Sequence, residues 1–159
     1  MPRSDRVDIR HLAPGDEAVM KCLLATFGDA FNEVETYRGN QPSSRYQRKL
    51  LGSEYFIALA ALKDGEVVGG LAAYELPKFE QERSEIYIYD LAVAVQHRRE
   101  GIATALIQRL RKLAAGRGAY VIFVQADVSD EPAVALYSKL AVREHVLHFD
   151  IEVGSDSAA

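Results

Sequence analysis

The chain has 159 residues, 48% of them apolar and 26% charged, with one cysteine and a formal net charge of −4. That length suits one domain with its own core, and the lone Cys22 excludes a scaffold stapled by internal disulfides. The acidic balance argues against a duplex nucleic-acid binder, and no apolar run nears the roughly 18 residues of a membrane span.

The polar start Met1–Asp8 has no apolar region of the signal-peptide kind, so a cytoplasmic address is expected. Val7-Asp-Ile-Arg-His-Leu12 alternates apolar and polar side chains and predicts a half-buried strand. Pro14-Gly15-Asp16 breaks it, and Val19, Met20, Leu23, Leu24, Phe27 and Phe31 follow at helical spacing, with Asp16 placed as the cap. Ser43 and Ser44 are placed to cap a second, short helix ending at Leu51. Two apolar runs, Tyr55–Leu62 and Val67–Tyr74, flank Asp64-Gly65 and predict a β-hairpin. Residues 77–84 read as a polar connection. Glu85-Ile-Tyr-Ile-Tyr-Asp-Leu-Ala-Val93 is dense in β-branched and aromatic residues and reads as a central strand. From Gly101 the period becomes helical, with Ile102, Leu106, Leu110 and Leu113 on one stripe and Gly116 or Gly118 as the stop. A strand over 120–125, a helix over 130–140 and a last strand over 146–153 complete the order β-α-α-β-β-β-α-β-α-β. This describes an α/β domain with a mixed sheet, spanning residues 7–153, followed by a frayed tail over 154–159.

The junction Leu91-Ala-Val-Ala-Val-Gln-His-Arg-Arg-Glu-Gly-Ile-Ala-Thr104 carries the most chemistry. A buried strand enters a loop with two arginines, and a glycine then opens an amphipathic helix. Unpaired N–H groups and the positive dipole end of a helix start hold anions. Gly101 and Ala103 offer no bulk to block a phosphate, and Arg98 and Arg99 add fixed charge. Between Arg98 and Arg117 six bases face one acid, Glu100. Of these, Arg109, Arg111, Lys112 and Arg117 read as a solvated helix face. Neither a Walker loop nor a three-glycine dinucleotide motif is present.

Arg98-Arg-Glu-Gly101-Ile-Ala103 resembles the Arg/Gln-x-x-Gly-x-Gly/Ala signature of the GNAT superfamily of N-acetyltransferases, in the strand-to-helix context of that family. Asp130-x-x-Ala133-x-x-Leu136-Tyr137-x-x-x-Ala141 resembles its second signature, with Asp130 in place of Asn and Ala141 in place of a helix-ending Gly. Phe56-Ile-Ala-Leu-Ala-Ala61, Leu76-Pro-Lys-Phe-Glu80, Ser84–Val93 and His148-Phe-Asp-Ile151 look like aminoglycoside 3-N-acetyltransferases of type I. The resemblance implies a GNAT-like acyl-CoA N-acyltransferase fold. It also implies acetyl transfer from acetyl-CoA to the 3-amine of a 2-deoxystreptamine antibiotic, conferring resistance. By position it implies pantetheine contacts at Leu91 and Val93, and a phosphate cradle from Arg98, Arg99, Gly101, Ala103 and Thr104. It further implies a Tyr137 hydroxyl that protonates departing CoA thiolate, and a homodimer by analogy.

A polycationic acceptor needs carboxylates to select it. Glu80, Glu85 and Asp90 flank the central strand, and Asp127 and Asp150 come later; with Asp90 as the catalytic candidate, the other four are the substrate-binding candidates. Asp90 is an ionisable group inside an apolar run, where burial demands a partner. Three readings stay open for it: a structural carboxylate at a strand bulge, a base that takes a proton from the bound ammonium, or an anchor for that ammonium. A free Asp titrates near about 3.9, far below an amine, so a base would need its pKa raised by burial.

No acyl-enzyme nucleophile or metal set is evident. Cys22 falls on the apolar stripe of the first helix and reads as core. His11, His97, His145 and His148 lack ligand spacing, and His97 reads as solvent-exposed. Direct attack in a ternary complex is therefore expected, with the tetrahedral oxyanion held by a backbone N–H near Val93. The alternatives are a polyamine, peptide or metabolite amine as acceptor, or a non-catalytic acyl-CoA sensor. Asp90 and Tyr137 together speak against the sensor.

Overall fold

The Asp64-Gly65 turn has positive φ at both residues (51° and 82°), as a two-residue hairpin requires, and joins β2 (Phe56–Lys63) to β3 (Glu66–Pro77). The computed structural model describes residues 6–154, so the tail expected to fray lies, beyond Gly154, outside the described residues. The chain forms two compact units, residues 1–125 and 126–159.

In the first unit the hairpin sits in a five-stranded sheet of order β1-β2-β3-β4-β5, with β1 (Asp8–His11), β4 (Ser84–Val93) and β5 (Ala119–Val124). The first four strands pair antiparallel, and β4 pairs with β5 in parallel. Residues 56–61 of β2 are buried without a break, the mark of a strand covered on both faces. Phe56, Ala58 and Ala60 pack in one cluster with Leu23 and Phe27 of α1 (Glu17–Phe31) and Leu51 of α2 (Ser44–Leu51). By strand alternation Ile57, Leu59 and Ala61 face the opposite side. There α3 (Ile102–Arg117), which links β4 to β5, brings the buried stripe Ile102, Leu106, Ile107, Leu110 and Ala114. Gly70 in β3 is where α1 comes closest to the sheet. A Cβ there would lie 2.2 Å from Leu23 Cδ1 and 2.7 Å from the Leu59 carbonyl.

The capping expectations divide. Ser43 Oγ accepts the Tyr46 N–H at 3.1 Å and starts α2, and Gly118, at φ 75°, stops α3. Asp16 occupies the cap position of α1 but makes no cap bond. Its carboxylate turns back to the Ala13 N–H (2.8 Å) and to Arg10 (2.6 Å), a charged partner that outcompetes an amide. Cys22 is exposed, not core, because the stripe of α1 is centred on Met20, Leu23 and Phe27. Arg117 is not a solvated helix charge. It donates to Glu75 (2.9 Å) and to the Glu54 carbonyl (2.6 Å), tying the end of α3 to the sheet.

The second unit contains α4 (Glu131–Leu140), and residues 141–154 form no strand. The strand expected over 146–153 is thus absent. Its apolar residues are exposed, from Val146 at 66% to Val153 at 100%, and an alternating segment becomes a strand only when another edge bonds to it. No helix among the described residues is long and apolar enough to cross a membrane.

Candidate active site

β4 has β5 beside it only as far as Ile88, which pairs with Val124. Beyond that point its ladder partner is β3 alone, with Asp90 opposite Ala72, Leu91 opposite Leu71 and Val93 opposite Gly69. The register shifts between Ala72 and Ala73, so Tyr89 is an extra residue and β4 bends there. The Ala94 N–H bonds to the Val68 carbonyl of β3 at 2.8 Å. Alternation then turns the backbone groups of Ala92 and Asp90 toward β3, and those of Leu91 and Val93 toward the open side. Two strands that part in this way leave an edge able to bond an extended ligand.

That edge runs directly into the phosphate-type loop. A short 3-10 turn over Val95–His97 is followed by Arg98, whose Nε donates to the Val93 carbonyl at 3.3 Å. Arg99 (φ 63°) and Gly101 (φ 79°) both take left-handed backbone, which aims successive amides into one concavity. Glu100 is fastened outside it by Lys63 (2.8 Å) and by His97 Nδ1 (3.0 Å), and the Lys63 bond leads in holding its carboxyl below the usual range. His97 is therefore an engaged loop residue, with 28% of its side chain exposed, because Glu100 draws it in. The start of α3 has no side-chain cap, and nothing lies within 4 Å of where a Gly101 Cβ would stand. Ala103 and Thr104 follow in the first turn, half-buried. These residues fit a phosphate: amides without a protein acceptor, two arginines and open space.

Asp90 is half-buried at the bulge and accepts a hydrogen bond from the Tyr37 hydroxyl at 3.0 Å. Burial pushes its carboxyl above the usual range, the Tyr37 bond pulls it down, and the negative charge of Glu33 raises it again. Burial and the Asp90 charge push the Tyr37 phenol far up, so it stays a donor. Tyr37 comes from a π-helical turn over Glu35–Gly39 and packs against Phe27 and Phe31, with ring centroids 6.1 and 5.8 Å away. Gly28 lets that turn approach α1, since a Cβ there would sit 3.1 Å from Tyr37 Cβ. Tyr89, 61% exposed, meets Tyr74 and Tyr87 edge to face beside the carboxylate. Tyr37, Glu33 and Tyr89 have no signal in the sequence: residues 33–40 carry no period, and only folding brings Tyr37 to Asp90.

The other acidic candidates stand elsewhere. Glu85 pairs with Lys78 at 3.3 Å and accepts from the Tyr120 hydroxyl, the larger of the influences that lower its carboxyl pKa. Five residues from Asp90 along β4, it is about 16 Å away. Glu80 lies in the connection before β4, with Lys78 at 3.6 Å. In the second unit Asp130 accepts the Ala133 N–H at 3.3 Å and so caps α4. The Asp127 carbonyl accepts the Asp130 N–H, and Asp150 is exposed against His148 at 2.8 Å. Burial, then the Asp130 charge, pushes the half-buried Tyr137 hydroxyl up to about 12. Among the described residues no cluster of His, Cys, Asp and Glu is placed to hold a metal.

Comparison with known proteins matches the acetyltransferase (GNAT) family over residues 19–141. A crystal structure of an aminoglycoside acetyltransferase from an uncultured soil metagenomic sample is 69% identical. It superposes with a TM-score of 0.92, and the match covers 94% of this chain and 99% of that one. A second aminoglycoside acetyltransferase from an uncultured soil metagenomic sample, in complex with sisomicin, is 31% identical with a TM-score of 0.86, covering 93% and 97%. An N-alpha-acetyltransferase of Sulfurisphaera tokodaii is 34% identical over 51% of this chain and 53% of its own length. The match thus spans only about half of that curated relative.

Proposed function

The chain belongs to the acetyltransferase (GNAT) family, and on that premise we propose that it transfers acetyl from acetyl-CoA to the 3-amine of 2-deoxystreptamine aminoglycosides, in the cytoplasm, conferring resistance. We read residues 7–153 as one N-acetyltransferase domain. The observation that carries the reading is the half-buried Asp90 carboxylate at the point where β4 leaves β5 and leads into the uncapped start of α3.

The co-substrate supplies an activated thioester. Leu91 and Val93 offer outward backbone groups along which the pantetheine arm extends as an added strand. Amides from Arg98 to Thr104, with the Arg98 and Arg99 charges, receive the pyrophosphate. Asp90 holds the acceptor ammonium, and its carboxyl, raised by burial, relieves that ammonium of its proton, directly or through a water. The freed amine attacks the thioester carbonyl, and the outward Val93 N–H stabilises the oxyanion. The Tyr137 hydroxyl, kept protonated by its raised pKa, gives its proton to the departing thiolate. Glu33 and the tyrosines around Asp90 suit a polycationic sugar; Glu80, Glu85, Asp127 and Asp150 remain candidates for its outlying ammonium groups.

The acceptor assignment draws support from the two aminoglycoside acetyltransferase relatives. A second reading, a peptide N-terminal amine as acceptor, draws on the N-alpha-acetyltransferase relatives. Thiol release with sisomicin-like acceptors, a peptide panel and spermidine separates them. Acetyl found on the 3-amine by NMR supports the first reading, and turnover of peptides alone overturns it.

A further inference from the structure

Two features of the fold are each half of one thing. Among the described residues β5 bonds to β4 on one side only, yet Ala119-Tyr-Val-Ile-Phe-Val124 has the composition of a central strand. It has no charge, proline or bulge to protect an edge, and Tyr120 (47%) and Val121 (38%) stand exposed. The second half is the segment over 146–153. It alternates as a strand does, with Leu147, Phe149, Ile151 and Val153 exposed by 80% or more. His148 and Asp150, two residues apart, already share a face, 2.8 Å from each other.

We propose that residues 146–153 of one copy add as a sixth strand to the free edge of β5 in a second copy, forming a strand-exchanged homodimer. The occupant follows from how the chain leaves α4. Reversal after a helix ordinarily uses a left-handed residue, usually glycine, but Ala141 is extended, with φ −140° and ψ 167°. The chain therefore leads away from its helix and does not turn back. A two-fold exchange uses both free edges and both unpaired segments and leaves neither over. Four large apolar side chains from each copy bring on the order of 1,000 Å² of surface, close to the about 1,200 Å² at which stable interfaces begin. The dimer does not depend on the acceptor or on the chemistry at Asp90.

Light scattering during size exclusion, with hydrogen exchange on the unaltered full chain, tests this. The expected result is a dimer at micromolar concentration whose 147–153 amides are protected, the protection vanishing on dilution to monomer. Phe149→Asp combined with Ile151→Asp should weaken dimerisation at least a hundredfold while circular dichroism stays native. A monomer at every concentration, with or without protection of 147–153, overturns the proposal. So does a dimer with those amides unprotected, or one that survives the double substitution. The exchange measurement decides the matter even where the substituted chain does not fold.

Discussion

The Tyr37 hydroxyl donates to the Asp90 carboxylate across 3.0 Å, joining an irregular turn after α1 to the bulge of β4. The bond favours the ionised carboxylate, against the burial that disfavours it. Asp90 therefore has two opposed influences on its charge, and one can be removed by deleting a single oxygen.

Tyr37→Phe removes the influence that lowers the Asp90 pKa, while burial and Glu33, which raise it, remain. The carboxyl should hold its proton to higher pH, so the acid limb of the kcat/KM profile should move upward. On that limb activity should fall roughly fivefold, the worth of one ordinary hydrogen bond, and the plateau above it should be kept. An unmoved limb would separate Tyr37 from the titration of Asp90.

Asp90→Asn keeps the shape and removes the charge. Turnover should drop by about 10²-fold or more, with acetyl-CoA affinity by calorimetry nearly unchanged. Full turnover with gentamicin-like acceptors would take Asp90 out of the mechanism.

Gly101→Glu places a carboxylate where nothing lies within 4 Å and forces a side chain onto φ 79°. Acetyl-CoA affinity should fall at least tenfold through charge repulsion and backbone strain. Normal affinity would place the phosphate site elsewhere.

Tyr137→Phe should lower kcat by about 10-fold to 100-fold and leave both KM values close to their original size. Product thiol measured in a single turnover shows whether the loss lies in the chemical step. A KM effect alone would make Tyr137 a packing residue.

Gly70→Ala tests the core. The added methyl meets the Leu59 carbonyl and the Leu23 side chain, and overpacking of this kind costs about 1–3 kcal/mol. The melting temperature should fall by several degrees in a thermal scan. An unchanged value would show that α1 shifts without cost.

Much of the frame was legible from local rules. Asp64-Gly65 between two apolar runs marks its hairpin, Ser43 marks the start of α2, and Gly101 and Gly118 bracket α3, because each signal acts within a few residues. What escaped depends on distant partners. Asp16 looks like a cap until Arg10 is beside it, and residues 146–153 look like a strand whether or not an edge receives them. The acids show the same limit: Asp90 and Glu85 share one strand, yet Lys78 and Tyr120 occupy Glu85 at the far end. Tyr37 was illegible, since an aperiodic stretch says nothing of where its hydroxyl points.

The Lys63–Glu100 ion pair fastens the tip of the β2–β3 hairpin to the loop before α3. Hairpin tips loosen early on warming, well ahead of a buried sheet. Gentle heat should thus slacken the loop's anchorage while the core is still intact, so the catalyst would lose its grip on the donor before it loses its shape.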